Sequence, residues 1–115
     1  MTYNLFIDDE SWLTDATWAD WYPHRDNWVV ARNWPEVLEL LESLGVPSYI
    51  SFDHDLGPDE ITINGYEIAQ KIVEGDMDGK WQIPEGFSFY VHSQNPIGKR
   101  NIEGLIMNYL KHLGR

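Results

Sequence analysis

The chain contains no cysteine, which excludes a disulfide framework, a zinc ribbon and a thiol nucleophile. Basic residues are scarce: 8 lysines and arginines stand against 19 aspartates and glutamates, a formal charge of −11 at pH 7. Such a field repels phosphate backbones and anionic headgroups, so general nucleic-acid or membrane-surface binding is not expected, although a pocket for one small phosphate remains open. No apolar run approaches the ~18 residues of a membrane span, and the start, Met1-Thr2-Tyr3-Asn4, lacks the basic and apolar regions of a signal peptide. A cytoplasmic protein is expected. The chain has 115 residues, 43% of them hydrophobic, which is enough for one core and too few for two, so residues 1–115 are expected to form a single domain.

Four short runs of β-formers stand out: Tyr3 to Ile7, Trp28 to Ala31, Tyr49 to Phe52 and Phe87 to Val91. Between the second and third, Asn33 followed by Trp34-Pro35-Glu36 starts a helix, with Val37, Leu40, Leu41 and Leu44 on its inward face and Gly45 as its stop. Gly65 to Val73 reads as a second helix that buries Ile68, Ala69, Ile72 and Val73, followed by a loop from Glu74 to Gly86. A last helix runs from Ile97 or Gly98 to Leu113, with Ile102, Leu105, Ile106, Tyr109, Leu110 and Leu113 inward. From Ser11 to Asn27 no clean period appears; Thr14 to Thr17 can begin a short helix, and the tryptophans there suit packing better than ligand stacking.

Strands alternating with helices call for a parallel sheet with right-handed crossovers, because parallel strands cannot be joined by tight hairpins. Ligands of such sheets bind beyond the carboxyl ends of the strands. The polar residues follow that rule. Asp8-Asp9-Glu10 follows the first strand, Arg32 the second, Asp53-His54-Asp55 the third, and His92-Ser93-Gln94-Asn95 the fourth.

Carboxylates brought together in this way repel unless a proton or a cation lies among them, and a hard divalent cation with oxygen ligands is the natural solution. The plainer alternative is that these acids cap loops and point into solvent. His54 and His92 are candidates for general acid and base, whereas His24 and His112 have no such context and are expected on the surface. Arg32 suits either a bidentate grip on phosphate or a salt bridge to one of the surplus acids. Asn95-Pro96-Ile97-Gly98 is placed to offer backbone amides to an anion at a helix start.

Leu5-Phe-Ile-Asp-Asp-Glu10, Ala31-Arg32, Ser51-Phe-Asp-His-Asp-Leu-Gly57, Asn64-Gly65-Tyr66 and Val91-His-Ser-Gln-Asn95 together resemble the cyclic-phosphate processing receiver-like family, a variant of the two-component receiver fold. The resemblance implies an α/β, truncated receiver-like (flavodoxin-like) three-layer fold with a four-stranded parallel sheet in order 2-1-3-4. By likeness to ordinary receivers, Asp8 and Asp9 match the acidic pair that binds magnesium, and Asp53 matches the phosphoacceptor. Ser93 matches the hydroxyl residue ending the fourth strand, and Gly65 the glycine opening the following helix. No fifth strand and no lysine at its tip are expected here, which weakens the case for aspartyl-phosphate signalling. His54 and His92 fit the variant family instead.

The implied activity is processing of a cyclic phosphate, on a nucleotide or on the 2′,3′-cyclic end of cleaved RNA, in RNA repair or conflict systems. In this reading Mg2+ or Mn2+ sits on Asp8, Asp9 and Asp53. Catalysis falls to His54, His92 and Asp53, and the phosphate is oriented by Arg32, Ser93 and Asn95. The alternative is a receiver-like metal-binding or phospho-switch module that recruits a protein partner. A decoy imitating nucleic acid fits less well, because many of the acids gather at strand ends instead of spreading along a surface.

Overall fold

The computed structural model describes residues 3–8, 28–53, 63–93 and 95–115. Within them, β1 (Asn4–Ile7), β2 (Trp28–Ala31), β3 (Tyr49–Phe52) and β4 (Ser88–Val91) form one sheet in order β2-β1-β3-β4. All three pairings are parallel, with Ile7 level with Ala31 and Phe52, and Phe52 level with Val91. The fold class and strand order are those the sequence implies. The two central strands are buried along their whole length.

Connections between parallel strands must cross over a face of the sheet. Helix α1 (Trp34–Leu44) makes the crossover from β2 to β3, α2 (Gly65–Met77) lies between β3 and β4, and α3 (Pro96–His112) follows β4. Alternate strand residues Leu5, Ile7, Ala31, Ile50, Phe52 and Val91 share one hydrophobic core with Val37 and Leu41 of α1, Ile68 and Ile72 of α2, and Ile102 and Ile106 of α3. All three helices therefore pack on one face. The opposite face carries Asn4, Phe6, Tyr49 and Ser51, all buried. The segment from Ser11 to Asn27, where a short helix can begin at Thr14 to Thr17, lies outside the described residues. Among the described residues no helix is long and apolar enough to cross a membrane.

Each helix begins on an asparagine. Asn33, Asn64 and Asn95 accept hydrogen bonds from the backbone N–H of Glu36, Glu67 and Gly98 at 3.0, 2.9 and 2.9 Å. The Asn64 N–H in turn donates to Glu67 Oε1 at 3.2 Å, which completes a capping box.

Some boundaries and faces differ from the sequence expectation. Helix α2 continues past Val73 to Met77, so the loop before β4 starts later than Glu74. The added turn is held by tertiary contacts. Trp81 lies over Gly75, where a Cβ would meet the indole at 2.2 Å, and its Nε1–H donates to the Ile72 carbonyl at 2.9 Å. Asp76 accepts from the Ile83 amide at 2.8 Å and from the Tyr109 hydroxyl. Leu44 is 59% exposed: the buried line of α1 steps from Val37 to Leu41 and next falls on Gly45, leaving Leu44 off it. Leu113 is the C-cap of α3, beyond its last helical residue, and is likewise exposed. Leu40, Leu105 and Leu110 pack partly buried at the margin of the core.

Candidate metal centre at the sheet edge

Asp8, Asp53 and His92 are the first residues after β1, β3 and β4, three neighbouring strands. The ladder continues one step past the strand ends to hold them level. Asp8 N–H donates to the Ala31 carbonyl at 3.0 Å, Asp53 N–H to Ile7 at 3.0 Å, and His92 N–H to Phe52 at 2.9 Å. Strand alternation then directs their side chains to the face opposite the helices, in line with Phe6, Ser51 and Tyr90.

Strands lie about 4.8 Å apart, so β4 and β1 are separated by roughly twice that. The imidazole of His92 bridges the gap by lying across β3. Its Nδ1 is 2.7 Å from Ser51 Oγ and its Nε2 is 2.8 Å from Asp8 Oδ2. Beneath it the Phe6 ring is stacked, with centroids 4.4 Å apart and planes 8° from parallel. Asp8 is buried at 3% exposure and Ser51 at 0%. Asp8, Asp53 and His92 each bring one ligand atom within 4.8 Å of the others. Two carboxylates at that separation form an oxygen-rich donor set that suits a hard divalent cation.

Of the remaining candidates, Arg32, Ser93 and Asn95 lie among the described residues. Arg32 is exposed just past β2, its backbone N–H donating to Glu36 Oε1 at 2.8 Å. The Ser93 hydroxyl accepts from the Asn95 amide at 3.1 Å, and the Asn95 side chain caps α3. Asp9 and His54 lie outside the described residues. His112 is exposed, as expected for a surface residue. Sequence reasoning passed over two contributors, Ser51 and Phe6. Their signal is period-two spacing: each stands two residues before an acid, on the acid's own face of the strand.

The fold and this edge define a receiver-like α/β domain with an acidic centre at the carboxyl ends of its strands. The sequence profile of the cyclic-phosphate processing receiver domain matches residues 3–108, and the chain belongs to that family. Among solved structures, the chain is similar to the CheY-like response regulator receiver domain protein from Methanospirillum hungatei, with TM-score 0.50 and 13% identity over 96% of this chain and 95% of that one. It is also similar to a fusion carrying a yeast Spc42 trimeric coiled-coil segment, with TM-score 0.57 and 17% identity. That match covers 90% of this chain, which spans 63% of the fusion's length. At these identities the likeness speaks for the fold alone. Among curated proteins none matches the chain.

Proposed function

We propose that the domain is a metal-dependent phosphoesterase that opens a cyclic phosphate, on a nucleotide or on an RNA 2′,3′-cyclic end. The observation that supports it is the placing of Asp8, Asp53 and His92 at one level on adjacent strands, with ligand atoms within 4.8 Å. Asp8 and Asp53 would hold Mg2+ or Mn2+, with Asp9, next to Asp8 in sequence, as the third ligand. When bound, the cation offsets negative charge on the phosphoryl oxygens.

Opening the ring forms a bond from water oxygen to phosphorus and breaks the bond from phosphorus to one ribose oxygen. The water loses a proton to a base, and the departing oxygen gains one. His54, next to Asp53 in sequence, is assigned to this proton exchange, and His92 Nε2 lies 2.8 Å from Asp8 Oδ2. Arg32, exposed beyond β2, can grip two phosphoryl oxygens. Ser93 and Asn95, at the start of α3, are assigned to orienting the phosphate.

The test is hydrolysis of 2′,3′-cyclic nucleotides, and of RNA ending in a cyclic phosphate, with Mg2+ or Mn2+ and with chelator. Turnover should require the cation, vanish in Asp53→Asn, and fall about 10²- to 10⁴-fold in His54→Ala, the range of a general acid or base. Failure to open any cyclic phosphate overturns the proposal. Covalent labelling of Asp53 by acetyl phosphate in that same protein would establish the phospho-switch instead, a reading supported by the place of Asp53 at the end of β3.

A further inference from the structure

Both ring nitrogens of His92 are engaged, and the partners are of opposite character. Nε2 faces the Asp8 carboxylate at 2.8 Å, and an ionised carboxylate only accepts, so the proton belongs on Nε2. Nδ1 faces the Ser51 hydroxyl at 2.7 Å, which can donate. With the Phe6 ring stacked parallel at 4.4 Å, the imidazole is held at two edges and on one face. Ser51 is at 0% exposure, so substrate cannot reach its hydroxyl and it is no nucleophile. Exchange of the Nε2 proton with a ligand would require breaking the bond to Asp8.

We infer that Ser51 and His92 are positioning residues. Ser51 donates to Nδ1 and keeps the ring proton on Nε2, and the ring so held sets the plane of the Asp8 carboxylate. His92 on this account supports a cation ligand from behind. It is not itself a ligand, because coordination through Nε2 would cost both the proton and the Asp8 bond. Outer partners of this kind usually change metal affinity by about 10- to 100-fold when removed. The cation half of the inference rests on the proposed metal centre; the tautomer half does not.

The experiment has two arms so that the two can fail separately. In the first, full-length protein with 15N-labelled histidine is studied without metal by long-range 1H–15N NMR near neutral pH. His92 should show a protonated Nε2, an unprotonated Nδ1 and a slowly exchanging Nε2–H. Ser51→Ala should lose the slow exchange and show mixed tautomers. Ser51→Cys, close in size with a weaker donor, should fall between. A wild-type ring protonated at Nδ1 alone, or a Ser51→Ala spectrum like the wild type, overturns the positioning role.

In the second arm Mn2+ is the probe. Its affinity should fall about 10- to 100-fold in Ser51→Ala and in His92→Ala, and pulsed EPR of the wild-type complex should show no directly bonded nitrogen from His92. A direct nitrogen coupling that disappears in His92→Ala makes His92 a ligand and overturns the supporting role. If wild-type protein binds no Mn2+ while the NMR pattern holds, the metal centre falls and the Ser51-His92-Asp8 lock stands.

Discussion

On β3, Ile50 and Phe52 turn toward the helices while Tyr49 and Ser51 turn away, and the neighbours on the two sides are chemically unlike. Toward the helices every strand side chain in the core is hydrocarbon: Leu5, Ile7, Ala31, Ile50, Phe52 and Val91. On the other side Asn4, Ser51 and Asp8 are buried on the strand face that also carries Phe6 and Tyr49, and Ser51 and Asp8 share the ring nitrogens of His92. A parallel sheet buried on both faces ordinarily reads as continuous hydrophobic strands. Here one face follows that rule and the other replaces it with partnered polar groups. The first face depends on volume and contact area, so it tolerates changes of shape poorly. The second depends on donors and acceptors meeting at hydrogen-bond distance, so it is sensitive to chemistry more than to size.

The comparison is broken most directly on two consecutive residues. Phe52→Ala should cost about 3–5 kcal/mol in urea unfolding, as for a fully buried aromatic. Ser51→Ala should cost about 1 kcal/mol for the lost bond to His92. Equal losses would show that the two faces are not different in kind.

Gly75→Ala comes next, because the new Cβ must displace the Trp81 indole and with it the bond to Ile72. Overpacking of this kind costs about 1–3 kcal/mol, read as a lower urea midpoint with little change at the sheet edge. Asn64→Ala removes one side of the capping box and should lower stability by about 1 kcal/mol, with cation response unchanged.

Alkali sharpens the contrast, because it acts on the helix side. Burial, then the Asp76 carboxylate that accepts its hydroxyl, pushes the pKa of Tyr109 up to about 12. Burial alone does the same for Tyr3, whose hydroxyl donates to the Gly45 carbonyl at 2.8 Å. A phenol near pH 10 in the unfolded chain and near 12 in the fold favours folding fully below pH ~10 and loses that share as pH rises through ~12. Urea midpoints should therefore hold to pH ~10 and fall above it, less steeply in Tyr109→Phe. The smallest change is expected in metal-free Asp53→Asn, where relief of repulsion with Asp8 should raise the melting temperature slightly and remove its rise with millimolar Mg2+.

Whereas the strand order followed from the family resemblance, the strands and the acidic edge were legible because they rest on local pattern: apolar runs of four or five residues, each ending in polar side chains. Asparagine caps and the Gly45 stop were legible for the same reason. The last turn of α2 was not, since Gly75 breaks a helical pattern until Trp81 is known to cover it. Nor was the path of His92, which lies 84 residues from Asp8 in the chain and reaches it only by crossing a strand. A lone serine within Tyr49-Ile-Ser-Phe52 reads as a gap in an apolar run, and its partner is revealed by pairing of β3 with β4. The contributions expected of Asp9 and His54 lie outside the described residues.

The three asparagine caps carry one more consequence. Helices α1 and α3 start within a few residues of the carboxyl ends of β2 and β4, and α2 starts after β3, so their amino ends gather on the side of the sheet where the acids lie. Each aligned stack of peptide dipoles presents roughly half a positive charge at that end, and proline in the first turn of α1 and α3 removes an amide that would otherwise lack a partner. The backbone thus supplies local positive potential where the side chains supply little. In a chain with 8 basic residues against 19 acidic ones, that potential comes from the main chain and needs no charged side chain.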